Sequence, residues 1–131
     1  MQSGKGIPIA STLYERVGGE PFFVALVGRF YAVVASDSVL RPLYPPDLEP
    51  AKAHLAAFLA QYWGGPALYS AERGAPRLRM RHQPFAIGQA ERDAWVRHMT
   101  AAVRASGASG EDMGQLIEYF EKTATFLMNR S

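Results

Sequence analysis

The chain has no cysteine among its 131 residues. A disulfide framework and a thiolate-held metal are therefore excluded, and any metal must be held by histidine, carboxylate or a cofactor. Long apolar runs are missing as well. No segment approaches the roughly 18 consecutive apolar residues of a membrane span, and the opening MQSGKGIPIASTLY lacks the apolar stretch of an export signal. A cytoplasmic protein with no integral membrane segment is expected. Excess charge is also scarce: 14 Lys and Arg stand against 12 Asp and Glu, a weak field for attracting nucleic acid or a lipid surface. No stretch alternates apolar and polar residues convincingly, and no GxxxxGK[ST], HExxH or GxSxG pattern occurs, which leaves phosphate-loop, zinc-hydrolase and serine-nucleophile chemistry without a motif.

What is present is helical periodicity, in a length that suits one domain. Residues 1–10 carry Gly, Ser and Pro without a period and read as a flexible tail, leaving 11–131 for the folded part. Thr12 and Glu15 have capping-box spacing for a short helix ended by Gly18-Gly19. Phe23, Leu26, Val27, Phe30, Tyr31 and Val34 recur on one helical face behind Pro21. Asp37 is placed to cap a single turn before the proline-rich RPLYPPD. A second face follows Pro50 at Ala51, Leu55, Phe58, Leu59 and Tyr62, and Gly64-Gly65-Pro66 stops it. Residues 67–76 read as loop, and 76–83 as a short helix between prolines. Trp95, Met99, Ala102 and Val103 mark a helix over 89–105. Ser109 caps a last one carrying Met113, Leu116, Ile117, Phe120, Ala124, Leu127 and Met128. The fold class is all-α, with four substantial helices.

Three histidines, His54, His82 and His98, are the candidate ligands, and no two share the i, i+4 spacing of a zinc helix. Arg73, Arg77, Arg79 and Arg81 precede or adjoin His82 without an intervening acid. Read alone, this run suits solvent exposure or an anion, and a nucleic-acid site would need more net charge than the chain carries. Tyr31, Tyr44, Tyr62, Tyr69, Trp63 and Trp95 place hydroxyls and indoles in or beside apolar stripes, where each needs a partner.

The order Gly18-Gly19, Phe30-Tyr31, VLRPLYP, FLAQYWGGP, RLRMRH and ERDAW, ahead of a long last helix, resembles the truncated haemoglobins, specifically their second group, over about residues 12–130. That resemblance implies a globin-like two-over-two helical sandwich around one b-type haem, with His82 as the proximal iron ligand. It implies that Tyr31, Tyr44 and Trp95 line the ligand side, and that Ala51 stands where many globins place a distal histidine. Phenol and indole donors suit dioxygen, which gains partial negative charge on binding. Leu55, Phe58 and Phe85 are expected against the haem, and Arg81, then Arg79 and Tyr69, at its propionates. His54 is the alternative sixth ligand. The implied function is binding and slow release of dioxygen, with carbon monoxide and nitric oxide as further ligands, in the setting of oxygen transport. Peroxidase or nitric-oxide dioxygenase turnover is the enzymatic alternative. The implied partners are these diatomic molecules and a reductase, with a homodimer permitted and nucleic acid not expected. Ala75 and a shortened YPPDL loop depart from the family pattern outside the ligand pocket.

Overall fold

A computed structural model describes residues 11–130; the expected tail over 1–10 lies outside the described residues. Seven α-helices follow one another: α1 (Leu13–Arg16), α2 (Glu20–Val34), α3 (Glu49–Tyr62), α4 (Leu68–Arg73), α5 (Leu78–His82), α6 (Gln89–Arg104) and α7 (Gly110–Phe126), with a 3-10 turn at Arg41–Leu43 and no strand among the described residues. The pair α2 and α3 packs together, as does the pair α6 and α7, and α2 against α6 joins them. This is the two-over-two arrangement of the all-α expectation.

The stripe of α2 is buried throughout, at Phe23, Leu26, Val27, Phe30, Tyr31 and Val34, and each such side chain contributes about 1.5–3 kcal/mol on leaving water. Leu116 and Phe120 of α7 and Met99 and Val103 of α6 complete the same core. The N-caps expected at Thr12 and Ser109 form, whereas the 3-10 turn begins after Leu40 with no side-chain cap. Thr12 Oγ1 accepts from the Glu15 amide at 3.1 Å within a reciprocal box, and Ser109 Oγ accepts from the Asp112 amide at 3.1 Å. Asp112 is itself buried, and its carboxylate is held by Arg16 of α1 at 2.9 Å.

Three expectations change. The 67–76 loop contains α4, fixed from outside by Gln61, whose side chain accepts from the Ser70 amide at 2.9 Å and donates to Ser70 Oγ at 2.8 Å. On α3 the buried residues are Ala56, Phe58, Leu59 and Ala60, and Tyr62 is 53% exposed, because the small Ala56 and Ala60 join Phe58 and Leu59 in closing the helix into the core while the rest of the stripe stays less buried. Helix α7 ends at Phe126, so Leu127 and Met128 follow it instead of extending its register.

Candidate functional site

Two parts of the structure hold the predicted residues. The first joins α2, the turn after it and α6. Asp37 Oδ1 accepts from the amides of Val39 and Leu40 at 2.8 and 2.9 Å, and its Oδ2 meets His98 Nε2 of α6 at 2.6 Å. The turn is thereby pinned to α6. The Arg41 guanidinium then donates to the carbonyls of Tyr44, Pro45 and Pro46 at 3.2, 3.0 and 2.8 Å, shaping a loop that proline deprives of amide donors.

This scaffold delivers Tyr44 beside Tyr31, ring centroids 5.4 Å apart and nearly perpendicular. Tyr31 and the Trp95 indole are the polar side chains that bear on the Tyr44 phenol. An indole nitrogen only donates, so towards Tyr44 the Trp95 indole can act only as a donor. Burial, then the neighbouring Tyr44, push the Tyr31 phenol well above its usual range, so the phenol keeps its proton. Burial also raises Tyr44, opposed by the hydrogen bonds from Tyr31 and Trp95. Trp95 packs on Phe30 at 5.1 Å. Tyr31 and Tyr44 thus meet ring to ring, with Trp95 bearing on Tyr44, while Ala51, the fourth predicted ligand-side residue, on α3, is half-buried against the core.

The second part is the short α5. His82 Nδ1 donates to the Leu78 carbonyl one turn back, at 2.7 Å; a carbonyl only accepts, so the proton sits on Nδ1 and the Nε2 lone pair is left outward. No side chain of α5 is buried. The helix is held by polar ties instead. Arg81 Nε and Nη2 donate to the carbonyls of Pro76 and Arg73 at 2.8 and 2.9 Å. Asn129 donates to the Phe85 carbonyl and accepts from the Ile87 amide, each at 2.8 Å. A helix with a fixed imidazole, its Leu78 half-buried against the core and none of its own side chains fully buried, fits a large apolar group lying against it.

The remaining predicted residues divide. Tyr69 is buried, with Phe58 at 5.5 Å and the Arg73 and Arg81 guanidinia 5.9 and 6.0 Å from its ring. Leu55 is half-buried and Phe85 is 41% exposed. Arg79 lies apart from Arg81, its guanidinium 4.9 Å over Phe126. Arg77 is exposed and takes a left-handed φ of 44°. Arg73 reads as a solvated residue by sequence but is half-buried, its Nη1 within 3.1 Å of the His54 ring; His54 is occupied by that contact.

The bacterial-like globin family matches residues 12–129. The chain belongs to the bacterial-like globins. This globin is 41% identical to the group 2 truncated hemoglobin YjbI of Bacillus subtilis over 118 residues, which cover 90% of this chain and 89% of that one. Among solved structures, the hemoglobin of the thermophilic phototroph Chloroflexus aurantiacus superposes with a TM-score of 0.90 at 50% identity, covering 92% of this globin and all (100%) of its relative. The truncated oxygen-avid haemoglobin of Bacillus subtilis gives a TM-score of 0.86 at 40% identity, covering 91% of this chain and 100% of that one. The likeness to group II truncated haemoglobins read in the sequence therefore holds, and with it haem-based oxygen binding as the family's function.

Reasoning from the globin's sequence alone missed Arg41, Asn129 and the Leu78 carbonyl. Arg41 precedes Pro42 in a loop rich in orphan carbonyls, a signal available in principle. Asn129 lies in irregular chain after α7 and reaches a segment 44 residues earlier, so no local pattern announces it.

Proposed function

We propose that this globin binds a b-type haem through His82 Nε2 and holds dioxygen on the Tyr31, Tyr44 and Trp95 side, releasing it slowly. The observation that carries this reading is the His82 Nδ1 to Leu78 carbonyl bond, which leaves a lone pair at Nε2 on a helix that buries none of its own side chains. Haem, when bound, would supply the iron at which a diatomic ligand binds. The protein's own part is orientation and hydrogen bonding. Tyr31, Tyr44 and Trp95 gather three donors on that side. With Tyr31 and Trp95 turned towards the Tyr44 oxygen, Tyr44 would present its own proton to the ligand as the strongest donor. Leu55, Phe58 and Phe85 supply apolar contact. Arg81 spends Nε and Nη2 on carbonyls, which leaves Nη1 for a propionate, and Tyr69 lies beneath it.

Purified protein reconstituted with haemin should show a Soret band that shifts under carbon monoxide. A colourless protein that takes up no haemin defeats the reading. Oxidative turnover of peroxide or nitric oxide is the second reading, favoured by one observation: Trp95 is continuous with oxidisable aromatic rings on α7 and α3.

A further inference from the structure

His98 follows Trp95 on α6 at a spacing that puts both on one face of the helix. Its Nε2 donates to Asp37 Oδ2 at 2.6 Å, while the other carboxylate oxygen accepts from the amides of Val39 and Leu40 at 2.8 and 2.9 Å. The two side chains are only 18% and 13% exposed, unlike those of the solvated Lys122 and Glu118 pair. From Leu40 onward the chain has little slack. The Leu43 and Tyr44 amides bond back to the carbonyls of Leu40 and Arg41 at 2.9 and 3.2 Å, and this turn delivers Tyr44 to Tyr31 and Trp95. The connections close a circuit, from Trp95 along α6 to His98, across to Asp37, through the turn to Tyr44, and back to the indole. Neither Asp37 nor His98 has a part in the oxygen-holding arrangement described above.

We propose that Asp37 and His98 are positioning residues, which fix the Tyr44 hydroxyl against the Trp95 indole and thereby set how strongly this globin favours dioxygen over carbon monoxide. The inference rests on the oxygen-binding reading above. Hydrogen bonds weaken steeply when distance or angle is lost, and donors placed in advance where charge develops need no reorganisation on binding. Bound dioxygen carries partial negative charge and carbon monoxide carries little, so the placement of donors acts on the first ligand and hardly on the second. Tyr44 follows the 3-10 turn and belongs to no α-helix. Arg41 ties that turn to itself, through the carbonyls of Tyr44, Pro45 and Pro46, whereas His98 ties it to the helix that carries Trp95. Leu40 anchors the turn in the core, but apolar contact is non-directional and tolerates small shifts. The bond from imidazole to carboxylate is directional, and it sets where the turn stands along α6.

The test compares haem-loaded wild type with His98→Ala, His98→Gln and Asp37→Asn. Glutamine carries its amide nitrogen as many bonds from Cβ as the imidazole carries Nε2, so His98→Gln keeps a donor for Asp37. Asp37→Asn keeps an oxygen for the Val39 and Leu40 amides but turns an amide group toward His98. Oxygen and carbon monoxide dissociation are followed by stopped flow, the C–O stretch of the carbon monoxide complex by infrared spectroscopy, and the thermal midpoint by circular dichroism. His98→Ala and Asp37→Asn should speed oxygen release severalfold, less than Tyr44→Phe does, with carbon monoxide release nearly unchanged. Their C–O stretch should move to higher frequency as the donors withdraw. His98→Gln should return the oxygen rate and the C–O stretch toward wild type even where the thermal midpoint stays lowered, a separation that a merely structural pair would not produce. If His98→Ala does not fold, Asp37→Asn decides. Oxygen and carbon monoxide rates that rise by the same factor, or an oxygen rate and C–O stretch equal to wild type in a folded variant, overturn the positioning role and spare the oxygen-binding reading. A protein that takes up no haem, or whose Tyr44→Phe variant releases oxygen at the wild-type rate, overturns that reading and this inference with it.

Discussion

On the proposed arrangement Tyr31 and Trp95 direct their protons to Tyr44 and Tyr44 presents its own to the ligand, so the three donors are unequal. Trp95→Phe removes one donor to Tyr44 and keeps most of the packing on Phe30. A hydrogen bond to a charged acceptor contributes about 1.5–3 kcal/mol, so oxygen dissociation measured by stopped flow should accelerate roughly ten- to hundredfold in Tyr44→Phe. Trp95→Phe should accelerate it less, and the double variant should fall short of the product of the two, because both act through one oxygen. An unchanged rate in Trp95→Phe would make the indole a packing residue. His82→Ala should lose haem on gel filtration, since no other histidine presents an unoccupied nitrogen in this position: His54 lies against Arg73 and His98 against Asp37.

Helices differ in how openly the sequence announces them. The α2 stripe was legible to the residue because a helix buried along one face repeats its apolar positions at a period of 3.6. Helix α4, with six residues, is too short to show a period and exists because Gln61 holds Ser70; such tertiary rescue leaves no local mark. On α3 the periodic positions Ala51, Leu55 and Tyr62 are the less buried ones, since one helix serves two surfaces and the alanines pass unnoticed in a hydrophobicity pattern. The site was legible as residue types, through the family pattern, but its supporting bonds were not. Asn129 is the clearest case, and it gives a prediction at this scale. Asn129→Ala removes ties to both the Phe85 carbonyl and the Ile87 amide, and should cost about 1–3 kcal/mol of stability and speed haemin transfer to a scavenger globin. Gly64 supplies another. Its φ is +115°, and a Cβ there would lie 2.5 Å from the Thr12 side chain, so Gly64→Ala should lower the thermal midpoint through strain and through separation of α1 from the end of α3. A midpoint equal to wild type would show that Thr12 can move aside.

Across the whole molecule, the two helical pairs are joined by polar contacts as well as by core. Asp37 links the turn after α2 to α6, and hydrogen bonds from the Leu40 amide, then from His98, hold its carboxyl below its ordinary value near 3.8. A carboxyl depressed in the folded state stabilises above its unfolded pKa and loses that contribution as pH falls through the folded one. Acid unfolding should therefore steepen below about pH 3.8. Asp37→Ala should melt lower than wild type at neutral pH, with the gap narrowing below that point. A gap independent of pH would assign Asp37 a purely conformational role.

Helix α5 is tied by hydrogen bonds and buries none of its own side chains. Segments with little apolar burial open locally at low free energy, and a ligand that binds the closed form alone stabilises it in proportion to the logarithm of its concentration. In the cofactor-free chain, amides from about 78 to 87 should therefore exchange with deuterium early, while those of α2 and α7 stay protected. On haem uptake the same amides should become slow. The histidine helix would then be the last part of the molecule to order, and haem supply would set how much of the protein survives proteolysis.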